Sequence, residues 1–449
     1  MAKKQVKRLE ADVVIAGGGP GGCVLAQDLS RKGKKVILIE KGGHHTRGFG
    51  SMVGLMLGGH MERAAGGGFL SATIEGDQLV LGTGVGGGTI LFAGSAFLPE
   101  IDLWKEVGVD LEPYLDEAME ESWVHEPPDE FIGPGTRHLW DAARELGYSW
   151  GKALRHIDFD KCKVGCGLCG AGCTRGAKWT GKVQADEAVK HGAKLLLYVK
   201  VRDVIVENGV AVGVRGRGVK DGQSYEVYGK AVVCCAGGVG TAPILRRSGL
   251  YEAGNWLSGD PTIMSYGFLE DEDGIGNGFE QQMTVCYHDE EHGCVFCSCI
   301  ATPANTWRMQ ILQKEGLGAA LKSRPFRKAL GIFSKMHDDG VGQIFVEGGV
   351  SKTYTPKDVW LQEYSRVTNE RILIQAGCDP YDIHHSGLIL GHPSGTVKIG
   401  KLLDSNLETQ IKNLYCCDTS VMPEAPGRPP ALTVVVLAKR LAKRLETIV

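Results

Sequence analysis

The sequence has no excess of charge of either sign and no long apolar run. Its 449 residues include 50 Lys and Arg against 53 Asp and Glu, which gives a formal net charge of -3. Such a balance provides no positive field for nucleic acid or an anionic membrane. No apolar run reaches the roughly 18 to 20 residues that span a bilayer, and the basic amino terminus lacks the apolar stretch of a secretory signal. The sequence therefore predicts a soluble cytoplasmic protein without a transmembrane segment or a nucleic-acid partner.

The chain is long, and it is rich in cysteine and glycine. Because cores stop growing beyond about 250–300 residues, a chain of 449 residues is expected to hold two domains. The 14 cysteines are not expected to form disulfides in a reducing cytosol, so clustered ones are candidate metal ligands. The 65 glycines include runs beside apolar stretches, which suit backbone packed closely on a ligand.

A nucleotide-binding turn follows the first apolar strand, residues 12–16. The segment 17–22, Gly-Gly-Gly-Pro-Gly-Gly, fits the pattern G-x-G-x-x-G and precedes a helical pattern. In this pattern Gly17 permits the tight turn, Gly19 lets the backbone approach a pyrophosphate, and Gly22 lets helix and strand pack closely. A second strand ends at Glu40, eighteen residues after Gly22, where a carboxylate can bind a ribose diol. These features predict a Rossmann-type βαβ unit that could hold FAD or NAD.

Two later regions have readable patterns. Residues 195–233 alternate strand-like segments with turns at Asn208-Gly209 and Asp221-Gly222, which predicts a small β-meander. Residues 431–447 predict a helix with an apolar face and a basic, solvated face. The apolar face comprises Val434, Leu437, Leu441 and Leu445, and the basic face comprises Lys439, Arg440, Lys443 and Arg444.

Four cysteines stand within twelve residues, at Cys162, Cys166, Cys169 and Cys173. Structural zinc sites more often use two C-x2-C pairs separated by a longer loop, whereas dense spacing is typical of iron-sulfur ligation. The spacing favours an iron-sulfur cluster of the 4Fe-4S type, with zinc and metal-free thiols as alternatives. Nearby basic residues either offset the charge of a cluster, contact an acidic partner or are simply solvated, and these are Lys161, Lys163, Arg175 and Lys178.

A second group of thiols carries a weaker signal. If residues 293–300 form a strand, Cys297 and Cys299 share one face while Cys294 points to the other. Convergence on a metal would then need a bulge. We therefore predict that these thiols and Cys286 are small buried side chains.

Three further segments resemble the glucose-methanol-choline (GMC) oxidoreductases. They are the glycine-rich stretch 84–89, the stretch 236–249, and a carboxy-terminal block that runs from His392-Pro393-Ser394-Gly395-Thr396 to Asp418 and Pro423. The resemblance implies bound FAD and His392 as the base that takes the substrate's hydroxyl proton. It implies these cofactor contacts: Gly17, Gly19, Gly22, Glu40, Gly84, Gly86, Gly87, Thr89 and Asp418.

The resemblance also implies an architecture. The expected fold is α/β, with a Rossmann-type FAD-binding domain formed by residues 1–265 and 386–449 and a mixed α+β substrate domain formed by residues 266–385. The cysteine-rich segment 160–180 belongs to the first domain, and some GMC dehydrogenases carry an iron-sulfur cluster in the corresponding segment. Two departures from the family pattern leave His392 without its usual partner, because Phe92 follows the glycine run and Pro429 occupies the position of a second His or Asn.

The expected activity is oxidation of an alcohol to a carbonyl by a dehydrogenase. Hydride would pass to FAD, and electrons would leave through the cluster to a ferredoxin, an electron-transfer flavoprotein or a partner subunit. Two alternatives stay open. One is an oxygen-using oxidase whose cysteines are structural, and the other is an electron-relay subunit without a substrate of its own. His384 and His385 are candidates to supplement His392, and oligomeric state is left open.

Overall fold

A computed structural model describes residues 6–44, 70–269, 275, 279–300 and 329–449. Its strands, numbered along the chain, are β1 (Lys7–Glu10), β2 (Val13–Ala16), β3 (Val36–Glu40), β4 (Leu70–Ala72), β5 (Gln78–Val80), β6 (Val124–His125), β7 (Gly151–Lys152), β8 (Arg155–His156), β9 (Lys194–Leu197), β10 (Val199–Glu207), β11 (Val210–Gly218), β12 (Ser224–Tyr228), β13 (Ala231–Cys234), β14 (Ser258–Leu269), β15 (Val285–Asp289), β16 (Cys294–Ser298), β17 (Leu330–Met336), β18 (Gly342–Ile344), β19 (Val350–Lys352), β20 (Cys378–His385), β21 (Ile389–Ser394) and β22 (Leu414–Cys416). Its α-helices are α1 (Pro20–Arg31), α2 (Ile101–Glu106), α3 (Leu115–Glu121), α4 (Pro134–Glu145), α5 (Lys182–Lys190), α6 (Gly237–Arg247), α7 (Pro356–Gln375) and α8 (Ala431–Ile448).

A five-stranded parallel sheet, in the order β9-β3-β2-β13-β22, forms the centre of the nucleotide-binding region. Every residue of β2 is buried, as expected for a parallel strand covered on both faces. β2 pairs with β3 so that Val13 lies opposite Val36. The helix between them, α1, begins at Pro20, whose fixed φ suits the first turn, and it packs against α5 and α8. The predicted Rossmann-type α/β fold is confirmed.

A four-stranded sheet, β1-β12-β11-β10, contains the predicted hairpins. Asn208 and Gly209, between β10 and β11, have φ values of 51° and 80°. A two-residue type I′ turn requires positive φ at both positions, and Asn and Gly tolerate it best. The β-meander is thus present between residues 199 and 228, whereas the outer strands of the predicted region, β9 and β13, belong to the parallel sheet.

The largest sheet of the described residues has nine strands. Eight of them lie in the order β4-β5-β21-β14-β17-β16-β15-β7, and the ninth, β20, pairs with β14. Its longest strand, β14, has twelve residues and pairs with β17, β20 and β21. The predicted domain boundary between residues 265 and 266 falls inside this strand, and the division into two domains stays a prediction. Residues 270–274, 276–278 and 301–328 of the predicted substrate domain lie outside the described residues.

The carboxy-terminal helix α8 is present, but its predicted solvated face is wrong at Lys439. That side chain is 2% exposed, and its Nζ lies 2.8 Å from Glu117, 2.9 Å from Glu121 and 3.4 Å from Asp28. The aliphatic stem packs inside while the ammonium meets carboxylates of α1 and α3, so a basic residue here closes a contact between helices. Neither α8 nor any other helix in the described part is long and apolar enough to cross a membrane.

Candidate active site

The glycine turn after β2 has the geometry that a phosphate site requires. Gly17 has φ of 118°, and a Cβ there would lie 2.2 Å from the carbonyl oxygen of Cys235. A Cβ on Gly22 would lie 2.1 Å from the Gly17 carbonyl oxygen, so helix and turn are in direct contact. Gly19 differs, because the nearest atom to its added Cβ is 3.7 Å away. The turn is therefore closed on the protein side and open at Gly19, where the amino terminus of α1 favours anions.

The second glycine segment, residues 84–89, lies directly on this turn. Gly86 donates its backbone N–H to the Gly18 carbonyl at 2.7 Å. A Cβ on Gly87 would lie 2.8 Å from the Cα of Gly19, a distance that real side chains do not reach. Thr89 donates to the Gly86 carbonyl at 2.5 Å and accepts from the backbone N–H of Gly181 at 3.0 Å. The structure thus brings the predicted residues Gly84, Gly86, Gly87 and Thr89 to the phosphate turn.

Glu40 joins three segments of this site. Its buried carboxylate accepts N–H groups from Gly18 at 2.8 Å on one oxygen, and from Gly42 at 2.8 Å and Gly84 at 3.1 Å on the other. Charge-assisted bonds of this kind are about twice as strong as neutral ones. Glu40 therefore fixes the phosphate turn, the end of β3 and the second glycine segment relative to one another, beside the position predicted for a ribose.

Asp418 organises the opposite side of the site. One carboxylate oxygen accepts the Ser420 N–H at 2.7 Å, and the other accepts the Gly237 N–H at 2.8 Å and the Thr241 hydroxyl at 2.6 Å. Burial raises the pKa of Asp418 above its ordinary value, and these hydrogen bonds offset only part of that shift. The side chain caps the 3-10 turn that follows it and holds the first turn of α6. Asp418 therefore has a capping role, and its predicted contact with the cofactor stays a prediction.

His392 lies on β21, beside the segment that Asp418 holds. The carbonyl of the next residue, Pro393, accepts the Thr419 hydroxyl at 2.8 Å, and a Cβ on Gly238 would clash with it at 1.8 Å. The imidazole is 30% exposed. The backbone at His392 has φ of 41°, an uncommon value for a residue other than glycine, and such strain concentrates at functional sites.

The sequence motif gave no partner for His392, but the structure does. Asp260 on β14 is fully buried, and its two oxygens lie 2.9 Å and 2.8 Å from the Nδ1 atom of His392. Lys335 on β17 places its Nζ 3.1 Å from Asp260 and donates to the Thr262 hydroxyl at 3.0 Å. Asp260 and His392 are 132 residues apart in sequence. No spacing rule links residues this distant, so only the pairing of β14 with β21 could reveal them.

The neighbouring histidines are engaged elsewhere. His385 bonds to Ser265 through Nδ1 at 2.8 Å and to Glu370 through Nε2 at 2.9 Å. His384 bonds to Asp382 at 2.9 Å and stacks on Tyr266. Both lie on β20, a different neighbour of β14 from the strand that holds His392. A supplementary catalytic role for either stays a prediction.

The predicted cluster segment forms an irregular loop with one 3-10 turn, Cys169–Ala171. Burial and, after it, the nearby thiols of Cys169, Cys173 and Cys166 raise the pKa of Cys162 to about 11. The loop sulfurs also accept hydrogen bonds, from Gln281 to Cys162 at 3.0 Å and from the Lys178 backbone to Cys173 at 3.4 Å. Across the described residues, no three His, Cys, Asp or Glu side chains are placed to hold a metal ion. The four thiols are thus electrostatic neighbours that do not converge as ligands of a single ion.

Two buried cations lie against the cysteine loop. Arg155 is fully buried and donates to the carbonyls of Gln282 and Ala93. Lys178, predicted to be near the cluster or in solvent, is 4% exposed. Burial lowers the pKa of Lys178 to about 7, although the thiols of Cys169 and Cys173 oppose that shift. No carboxylate of the described residues lies within ion-pair distance of either cation, and unpaired buried charge is costly.

Lys178 also connects the loop to the segment that is predicted to contact the cofactor. Its Nζ donates at 2.8 Å each to the carbonyls of Ile90, Phe92 and Cys169. Ile90 directly follows Thr89 and Phe92 lies three residues after it, whereas Cys169 belongs to the cysteine loop. Phe92, the residue that departs from the family pattern, packs against His156 and Trp179. The loop is therefore separated from the predicted cofactor segment by a single side chain.

The second thiol group is buried, as predicted. Cys286, Cys294, Cys297 and Cys299 are each at most 7% exposed. Cys294 bonds to Ser365 on α7, whereas Cys297 faces Cys286 in a separate apolar cluster. The alternation along β16 thus separates these thiols onto two faces.

A glycine turn of this form on a doubly covered parallel sheet defines a dinucleotide-binding oxidoreductase. Models of the GMC oxidoreductase family match residues 11–284 and 326–438, so the chain belongs to that family and is an FAD-dependent oxidoreductase. It is 28% identical to an uncharacterized GMC-type oxidoreductase of Mycobacterium tuberculosis, over 96% of this chain and 75% of that protein. It is 26% identical to a long-chain-alcohol oxidase of Arabidopsis thaliana, over 98% of this chain and 68% of the other. The crystal structure of pyridoxine 4-oxidase from Mesorbium loti has the same fold, with a TM-score of 0.68 at 18% identity over 96% of this chain and 98% of the other.

Proposed function

We propose that the protein is an FAD-dependent dehydrogenase that oxidises an alcohol to a carbonyl and transfers the electrons to a redox protein. The observation that carries the proposal is the placement of His392, held by a buried carboxylate and joined through Pro393 to Gly238 in the first turn of α6. Relatives that act on alcohols support this reaction class, since they include a long-chain-alcohol oxidase and a structural neighbour named pyridoxine 4-oxidase.

The residues of the site divide the chemistry in a defined way. Bound FAD would accept hydride from the carbinol carbon. His392 would receive the hydroxyl proton at Nε2, which is the task of a general base placed within hydrogen-bond reach of the substrate. The glycine turn at Gly19 would bind the pyrophosphate, and Glu40 would hold the ribose side of the cofactor. The protein's main contribution is then to keep carbon, cofactor and base in one geometry.

We further propose that Cys162, Cys166, Cys169 and Cys173 bind an iron-sulfur cluster, which would supply one-electron transfer to the acceptor. The support is electrostatic. Arg155 and Lys178 are buried beside these thiols, and no carboxylate of the described residues lies within ion-pair distance of either. A thiolate-bound cluster carries negative charge, and hydrogen bonds to its sulfurs are typical of such sites.

Anaerobically purified protein tests the proposed cluster. In anaerobically purified protein we expect iron and inorganic sulfide together with a cluster EPR signal after reduction. Cys169→Ser should lose the iron and keep FAD, whereas Cys294→Ser, a buried thiol bonded to Ser365, should keep both. Less than one iron per chain in the unaltered protein would refute the cluster.

The alcohol reaction has its own test. A panel of primary and secondary alcohols should bleach the flavin absorbance anaerobically in the unaltered protein and not in His392→Ala. His292→Ala is the matched control, because His292 also pairs with a buried aspartate, Asp289, at 3.0 Å. Retained bleaching in His392→Ala would contradict the assigned base. No bleaching by any alcohol in the unaltered protein, together with partner reduction when a chemical reductant supplies the electrons, would favour a relay subunit.

An oxygen-using oxidase is a second candidate, favoured by the names of the plant and bacterial relatives. It would consume oxygen in step with the alcohol and release peroxide, with no absorbance beyond that of flavin. Electron transfer to a ferredoxin or electron-transfer flavoprotein, with slow oxygen uptake, would favour the dehydrogenase.

A further inference from the structure

Asp260, His392 and Lys335 form a set of three that no sequence motif predicts. They come from three adjacent strands of the nine-stranded sheet, β14, β21 and β17. The pairing of β14 with β21 places Asp260 opposite Gly391, and the pairing of β14 with β17 places Thr262 opposite Lys335. The sheet therefore brings the three side chains together, with Asp260 in contact with both His392 and Lys335.

The hydrogen bond from the ring fixes its protonation pattern. Both oxygens of Asp260 lie within 2.9 Å of Nδ1, and an ionised carboxylate can only accept hydrogen bonds. Nδ1 must then carry a proton. In a neutral imidazole with its proton on Nδ1, Nε2 is the atom with a free lone pair. The contact thus selects the tautomer that a base acting through Nε2 requires.

Lys335 sets the charge of the carboxylate. Burial raises the pKa of Asp260, but the opposite effect of His392 and Lys335 is larger. The pKa of Asp260 therefore lies below its ordinary value. The aspartate is therefore ionised at neutral pH. The ammonium of Lys335 lies 3.1 Å from Asp260 and offsets part of the negative charge that the carboxylate presents to the ring. The set is neutral before the proton arrives and carries a single positive charge afterwards.

The backbone around the ring is shaped to permit this contact. A Cβ on Gly391 would lie 2.6 Å from an oxygen of Asp260, so a larger residue would displace the carboxylate from the ring. His392 itself has φ of 41° and precedes proline. Strain of this size persists only when the surroundings enforce it. The Asp260 contact is the polar interaction that holds the strained residue in place.

We propose that Asp260 is a positioning residue that holds His392 in the Nδ1-protonated tautomer and stabilises its imidazolium, with Lys335 as the counter-charge that keeps the resting ring neutral. The inference rests on the proposed function in one respect, that His392 takes the substrate proton. The rival explanation is a buried Asp–Lys pair that only joins β14 to β17, with the ring as a bystander.

The tautomer can be read without any turnover. In FAD-loaded protein labelled with ¹⁵N-histidine, the His392 signals are assigned by their absence in His392→Ala. At pH 8 we expect a protonated Nδ1 and an unprotonated Nε2. The opposite tautomer, or rapid exchange between the two, would overturn the inference while leaving the alcohol reaction untouched. Conversely, the expected tautomer with retained activity in His392→Ala would sink the proposed function alone.

Variants separate positioning from structure. Asp260→Asn keeps the side-chain size and removes the charge, and we expect kcat to fall at least about 100-fold with KM changed less than about threefold. Removing the negative charge should move the acid limb of the kcat/KM profile to lower pH, and Lys335→Met should move it to higher pH. Asp260 is the charged group in contact with the ring, and Lys335 contacts Asp260 in turn. Asp338, which follows β17, accepts the N–H of Gly259, the neighbour of Asp260, and pairs with Lys352.

Asp289→Asn is the matched control, since Asp289 also accepts from a histidine Nδ1 through both oxygens. It should leave the pH profile and the His392 tautomer unchanged. If Asp260→Asn folds poorly, Asp260→Glu replaces it, and partial recovery of the profile is expected because the charge is retained. An acid limb that does not move in Lys335→Met, or that moves equally in Asp289→Asn, would show that the set is only structural.

Discussion

Glu40→Gln tests whether one carboxylate holds the cofactor site together. Glu40 accepts three backbone N–H groups, two on one oxygen and one on the other. A glutamine has a single acceptor oxygen. If that oxygen takes the bonds from Gly42 and Gly84, the amide NH2 faces the N–H of Gly18, and two donors oppose each other inside the protein.

The magnitude follows from these contacts. A buried donor left without an acceptor costs about 1–3 kcal/mol. The other two bonds lose their charge assistance, which is worth about 0.5–1 kcal/mol each. We therefore expect the free energy of unfolding of the FAD-free protein to fall by about 2–5 kcal/mol. Because domains are stable by about 5–15 kcal/mol, the variant should still fold.

Urea unfolding of the FAD-free protein, followed by FAD titration, measures both consequences. Glu106→Gln, which makes the same change at an exposed position of α2, should be within about 0.5 kcal/mol of the unaltered protein. FAD should bind more weakly to Glu40→Gln than to Glu106→Gln. Equal unfolding free energies for the two variants would refute the claim that Glu40 ties the three segments together.

Three further changes have defined outcomes. Gly87→Ala places a Cβ 2.8 Å from the Cα of Gly19 at φ of 54°, so we expect FAD-free protein after purification, checked by the ratio of flavin to protein absorbance. Lys439→Met removes the shared cation of three partly exposed carboxylates, of which Glu121 keeps its ion pair with Arg31, and should cost about 1–3 kcal/mol in urea unfolding, against little change for the exposed Lys443→Met. Burial lowers the pKa of His156 to about 4. As the pH falls, the unfolded chain therefore takes up a proton near pH 6.5, before the folded protein does. The free energy of unfolding should then fall by about 2 kcal/mol from pH 7 to pH 5. The His156→Gln variant should lose that part of the pH slope, and an unchanged slope would show that the ring is not held neutral.

The local elements of the fold were predictable because their signals are local. A buried strand needs a run of apolar residues, a tight turn needs glycine at positive φ, and a type I′ hairpin needs a pair such as Asn208-Gly209. Each of these requirements is met within a few neighbouring residues. The βαβ unit, the hairpins and α8 could therefore be predicted, as could the glycines that gather at the phosphate turn.

The same reasoning failed where a side chain's environment comes from another element. The basic face of α8 predicts solvent at Lys439, yet α1 and α3 supply carboxylates that no periodicity in α8 can reveal. Lys178 is a second example. Its sequence neighbours suggest a loop charge, but its ammonium is buried against the carbonyls of Ile90 and Phe92, in a distant segment, and of Cys169 in its own loop.

By itself, the sequence determined that this chain forms a Rossmann-type oxidoreductase, that His392 is the candidate base and that four clustered cysteines are candidate cluster ligands. Only the tertiary structure decided what surrounds these residues. Asp260 and Lys335 reach His392 through the pairing of three strands, and that pairing depends on packing across the whole sheet. The charge around His392 and around the cysteine loop is thus set by contacts between residues far apart in the sequence, for which a linear sequence has no spacing rule.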